Sequence, residues 1–121
     1  MRAVDQVQLF GHAKSKATRK AQRWFSERRI PVTYIDVRKR APSPGELRRF
    51  VQRLGVQAVL DPESAAYKEQ GLQYVSASDD DWITRMAAKP DVLRYPLVRL
   101  ATDVAAGDDE AAWRRLAAAS K

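Results

Sequence analysis

Hydrophobic positions along the chain change period several times. Val7-Gln8-Leu9-Phe10 is short, mostly apolar and bounded by polar residues, which predicts a strand. Beyond Ser15 the spacing becomes helical: Ala17, Ala21, Trp24 and Phe25 recur at i, i+4, i+7 and i+8. Ser15 suits an N-cap, and the helix is expected to run to about Arg29, with Arg28 and Arg29 at the negative end of its dipole. Gly11 to Lys14 is the connecting loop. Pro31 to Val37 is rich in β-branched and aromatic residues and predicts a second strand. A helix between two such strands makes a βαβ unit, so the strands should run parallel.

A basic turn from Arg38 to Pro44 follows. Ser43-Pro44-Gly45-Glu46 then has a capping-box spacing with proline at the first helical position. Leu47, Phe50, Val51 and Leu54 form the apolar face of that helix, which Gly55 ends. A short turn over Val56–Leu60, a weak helix near Ala65–Glu69 and an acidic helix start at Asp79-Asp80-Asp81 come next, and Pro90 stops the last of these. Leu97–Leu100 and Thr102–Ala105 read as two strands joined by a tight turn. Gly107-Asp108-Asp109-Glu110 then caps a final helix carrying Trp113, Leu116 and Ala117. Trp24, Trp82 and Trp113 each fall on an apolar helix face and are expected in the core. The order is β-α-β, helices, β-β-α in a single domain, with a helical insertion at about 43–92.

Composition narrows the chemistry. The 121 residues include no cysteine and one histidine, which excludes disulfides, thiol redox chemistry and a two-histidine or thiolate metal site. No apolar run approaches the ~18 residues of a membrane span. The polar start argues against a secretory signal, so the cytoplasm is the expected compartment. The 22 Lys+Arg against 15 Asp+Glu give a net charge of +7, which raises acidic partners. These charges are interspersed, as on a solvated surface.

Five segments, in order, resemble the arsenate reductase (ArsC) family, which also contains the Spx transcriptional regulators. Arg19-Lys20-Ala21 is similar to the run after that family's active loop, and Ile30-Pro31-Val32 to its helix-to-strand link. Ser43-Pro44-Gly45-Glu46-Leu47 resembles its second helix start, and Tyr67 to Leu72 the stretch after its middle loop. Lys89 to Val98 resembles its "HP-x-L-I-x-R-P-I-V" segment. The resemblance covers roughly Val7 to Leu116 and implies an α/β, thioredoxin-like fold.

It also implies a site. Ser15 falls on the reductase cysteine, Thr18 on the second cysteine of the CxxC form, and Pro96 on the fold's cis-proline. In the family a thiolate at the helix start attacks the oxyanion while arginines hold it. Here an unactivated serine hydroxyl stands in its place, which cannot form the arsenic–sulfur adduct. The arginine before the cis-proline is Tyr95, with Arg94 beside it, and Asp61 and Glu63 occupy the middle-loop arginine region. Both acidic residues are expected near the pocket, leaving Arg19 of the anion-facing set.

These departures imply a catalytically degenerate protein with a non-enzymatic interaction or regulatory role. By Spx analogy the partner would be a protein such as RNA polymerase, and a specific nucleic-acid ligand is not expected, since no recognition-helix motif is visible. No cofactor is expected either. The alternative is a reductase-like or glutathione-dependent enzyme in which Ser15 or Tyr95 hydrogen-bonds the glutathione thiolate. Lys14, Ser15, Lys16, Thr18, Arg19 and Arg94 are the anion-binding candidates, the first five set around a helix N-terminus. His12 with Ser15 raises a hydrolase pair, for which no third orienting residue is visible. Arg38-Lys39-Arg40 with Arg48, Arg49 and Arg53 forms a candidate basic patch.

Overall fold

The computed structural model describes residues 6–119. The opening unit is β1 (Val7–Gly11), α1 (Lys16–Glu27) and β2 (Val32–Asp36). Four helices follow: α2 (Pro44–Leu54), α3 (Val56–Val59), α4 (Ala65–Glu69) and α5 (Asp79–Ala88). Short 3-10 turns lie at Leu72–Tyr74 and Pro90–Val92. The chain closes with β3 (Leu97–Leu100), β4 (Asp103–Ala106) and α6 (Glu110–Ala119).

The strands form one sheet in the order β2-β1-β3-β4. β1 and β2 are parallel, and the other two pairs are antiparallel. Because side chains alternate across a strand, neighbouring positions bury on opposite faces. Phe10, Leu97 and Val104 pack under α2 to α5, where Phe10 meets Phe50 edge-on at 6.0 Å. Val7, Leu9, Val98, Leu100 and Ala105 pack under α1 and α6. There Trp24, Phe25 and Trp113 form a ring cluster with centroids 4.9 to 6.2 Å apart. Truncating a ring as enclosed as Trp113 costs about 3–5 kcal/mol. Helices on both faces of a β-α-β, β-β-α sheet are the α/β, thioredoxin-like arrangement that the sequence implies.

Helix starts follow the capping chemistry. Ser15, Ser43, Ser64 and Ser78 each accept a hydrogen bond from the amide three residues on. At Ser43 the box is complete, since the Glu46 carboxylate accepts the Ser43 N–H at 2.9 Å. Asp109 caps α6 through the Ala112 amide.

Three local expectations are corrected. Gly11 is the last residue of β1, paired with Asp36. α1 stops at Glu27, because the Ile30 amide folds back to the Phe25 carbonyl and Arg29 takes φ +57°. Arg28 still meets the exposed helix end: its guanidinium donates to the Trp24 carbonyl and lies 3.8 Å from that residue's ring centroid. The buried face of α1 is Thr18, Ala21, Trp24 and Phe25, with Ala17 only half-buried.

Candidate functional site

The β1–α1 loop delivers Ser15 to the carboxyl end of the parallel strands, where open α/β sheets place ligands. Ser15 is the N-cap of α1, and its Oγ accepts the Thr18 N–H at 3.1 Å. Beside it lies an open hollow of about 320 Å³. His12, Ser15, Arg38, Asp61, Asp91 and Tyr95 line it, with Ser64 and Leu93 completing the wall.

Of the six anion-binding candidates, only Ser15 lines this hollow. Thr18 is fully buried and packs on Gly11, with its hydroxyl making no hydrogen bond among the described residues. Arg19 turns back and donates to the Ala13 carbonyl of its own loop. Lys14 and Lys16 are exposed and lie outside the lining. Arg94 donates from Nε to the Ala58 carbonyl at 3.2 Å, and its stem crosses Gly107 so closely that a Cβ there would sit 2.7 Å from Arg94 Cδ. Thr18, Arg19 and Arg94 stand outside the lining for a common reason: each satisfies, or packs against, backbone.

The remaining expectations divide. Asp61 lines the hollow, whereas Glu63 is exposed and faces Lys68 at 3.8 Å. The Tyr95 hydroxyl donates to the Pro90 carbonyl at 2.6 Å, and burial, reinforced by Asp91, holds its pKa far above the ordinary phenol value. It therefore has no free proton for a thiolate and does not ionise to serve as a base. The Tyr95–Pro96 peptide bond is cis.

His12 packs edge-on against the Tyr95 ring at 5.3 Å, with its Nδ1 buried and without a hydrogen bond among the described residues. Burial, then the Arg38 charge, lowers its pKa against the opposing pull of Asp36 and Asp91, which favours the neutral ring. No hydrogen bond joins it to Ser15 Oγ, and the hydrolase pair is not assembled. The hollow thus sets two carboxylates, Asp61 and Asp91, against one guanidinium, Arg38.

The sequence reading missed Arg38, Ser64, Asp91 and Leu93 as wall residues. Arg38 had a usable signal, since it lies two residues past the end of β2, at the sheet edge where ligands bind. It opens the candidate basic patch Arg38-Lys39-Arg40, Arg48, Arg49 and Arg53, which the structure splits. Arg40 forks onto Glu46 at 3.1 and 3.2 Å, and Arg48 pairs with Asp80. Arg49 and Arg53 line a separate hollow with Arg99.

The ArsC family model matches residues 10–116. The chain belongs to the ArsC family. Its structure is similar to that of an ArsC-family-related protein from Bacteroides fragilis, at 20% identity and a TM-score of 0.85, over 94% of this chain and 99% of that one. It is also similar to an arsenate reductase from Vibrio cholerae, at 26% identity and 0.77, over 87% and 92%. An ArsC-related protein from Brucella melitensis matches at 18% identity and 0.69, over 95% and 97%. No curated protein matches the chain. Among the described residues, no helix is long and apolar enough to cross a membrane.

Proposed function

We propose that this ArsC-family chain has lost arsenate reduction and serves as a non-enzymatic protein-interaction or regulatory module in the cytoplasm. The composition of the Ser15 hollow carries the reading: a capping serine where the family has its nucleophile, and two carboxylates facing one guanidinium. A serine hydroxyl near neutrality is scarcely ionised, and no thiol exists elsewhere in the chain. An arsenate dianion entering the hollow would meet net negative charge. Spx-type relatives supply the precedent for a protein partner, with RNA polymerase the first to test.

One observation keeps a glutathione-dependent enzyme as the rival. Ser15 Oγ accepts the capping bond but retains its own proton, which it can donate into the hollow toward a bound thiolate. Turnover assays separate the two readings. With arsenate, glutathione and glutaredoxin, and with a model electrophile for thiol conjugation, the protein is expected to add nothing to the background rate. Turnover that Ser15→Ala abolishes would establish the enzyme and overturn the proposal.

A further inference from the structure

A second hollow lies at the opposite end of the sheet from Ser15. Arg99 on β3 pairs with Gln8, three residues back from Gly11 along β1, which places it roughly 10 Å down the strand. It shares the face of Phe10, the face covered by α2. Arg49 and Arg53 stand at i and i+4 on α2 and overhang the same spot. The three arginines line a hollow of about 370 Å³ together with Gln52, Thr102 and Ala101, within the ~300–1,000 Å³ usual for small-molecule sites.

The lining holds three guanidiniums and no carboxylate. Arg49 and Arg53 are exposed, and among the described residues neither makes a hydrogen bond or ion pair, their neighbours being the charges of Arg99 and Asp103. Arg99 is half-buried and fixed in place, donating from Nε to the Ala101 carbonyl at 3.0 Å and from Nη1 to Gln8 Oε1 at 3.1 Å. Burial, and then the neighbouring Arg49 charge, destabilise its guanidinium cation. Two carboxylates are in electrostatic range, Glu46 of Arg99 and Asp103 of Arg53, but each is hydrogen-bonded to an arginine outside the hollow. Glu46 holds Arg40 and the Ser43 amide, and Asp103 holds Arg115 at 3.1 Å. Three guanidiniums facing one space, one of them preorganised by neutral acceptors, form a receptor for an oxyanion with several acceptor oxygens.

We propose that Arg49, Arg53 and Arg99 form a binding site for a phosphate-bearing small molecule. The guanidiniums grip the phosphate, and the amide of Gln52, the hydroxyl of Thr102 and the methyl of Ala101 border its organic part. This site is separate from the Ser15 hollow and does not depend on whether that hollow retains chemistry.

The test is an amide NMR titration of the full chain at low ionic strength, first with inorganic phosphate and then with adenosine monophosphate. Saturable shifts are expected at Arg49, Arg53, Arg99, Ala101 and Thr102. Arg49→Ala and Arg53→Ala should each weaken binding by about tenfold or more, and added salt should weaken it further. Arg48→Ala removes one charge from the same helix but none from the hollow, and should change affinity by less than about twofold. All three positions lie within α2 and accept alanine, a strong helix former, without loss of fold. Tighter binding of the monophosphate than of inorganic phosphate identifies an ester as the occupant, and equal binding identifies the phosphate group alone. Either supports the site. No saturation by about 10 mM, shifts centred on His12 to Arg19, or an Arg48→Ala loss as large as that of Arg49→Ala would overturn it.

Discussion

Gly11→Ala probes the wall between β1 and α1 directly. A Cβ at Gly11 would lie 2.4 Å from Thr18 Oγ1, 2.5 Å from Cγ2 and 3.0 Å from Cβ. Ordinary contact requires roughly 3.5 Å or more, so strand and helix must part by about 1 Å. Rotating χ1 does not relieve the contact fully, because a β-branched side chain in a helix has few χ1 options and Thr18 Cβ itself lies at 3.0 Å. Overpacking of this kind costs about 1–3 kcal/mol, and two rigid neighbours place the cost at the upper end. Thr18→Ala alone should cost about 1 kcal/mol or less, since the lost methyl contact is offset by removing a buried hydroxyl with no partner. In the double variant the new methyl occupies the vacated space, so Thr18→Ala should restore at least about 1 kcal/mol to Gly11→Ala. Urea unfolding of the four proteins measures the coupling. Additive losses, or a neutral Gly11→Ala, would refute the packing role assigned to Thr18.

Acid should expose the Ser43–Glu46 capping box. Burial by itself would raise the Glu46 carboxyl, but the Arg40 fork and the Ser43 amide outweigh it and leave the group below its ordinary 4.5. A depressed folded pKa stabilises the protein above the unfolded value and ceases to do so as pH falls through the folded one. The stability gap between wild type and Glu46→Gln should therefore be constant from neutrality to about pH 5 and shrink below about pH 4.5; a gap independent of pH to 3 would contradict this. Tyr95→Phe removes the donor to the Pro90 carbonyl, which keeps a second bond from the Leu93 amide. The expected loss is about 0.5–1 kcal/mol by thermal unfolding, and a loss above about 2 kcal/mol would mean that the hydroxyl has a larger structural part.

Much of the scaffold was legible because it depends on local chemistry. Ser43 with Glu46, the β-branched run at Val32–Asp36 and the spaced Leu47, Phe50 and Val51 all declare themselves within a few residues. The Ser15 hollow was only half legible. Its position followed from the strand-loop-helix pattern, but its walls come from Asp61, Asp91 and Arg38, which meet only through tertiary packing. Arginine destinations were the least visible. Whether Arg19 faces a ligand or its own Ala13 carbonyl depends on rotamers that a long side chain chooses after folding. Thr18 was misplaced for a different reason. A small polar residue in the first helical turn suits solvent or a ligand as well as a strand glycine, and only the closeness of Gly11 decides between them.

We propose that the Ser15 hollow serves neither arsenate nor glutathione. It is tested most directly by titrating labelled protein with each and following the amides of His12 to Arg19. No saturable shift in that loop is expected up to several millimolar of either ligand. Saturation centred on Ser15 at sub-millimolar ligand would contradict it.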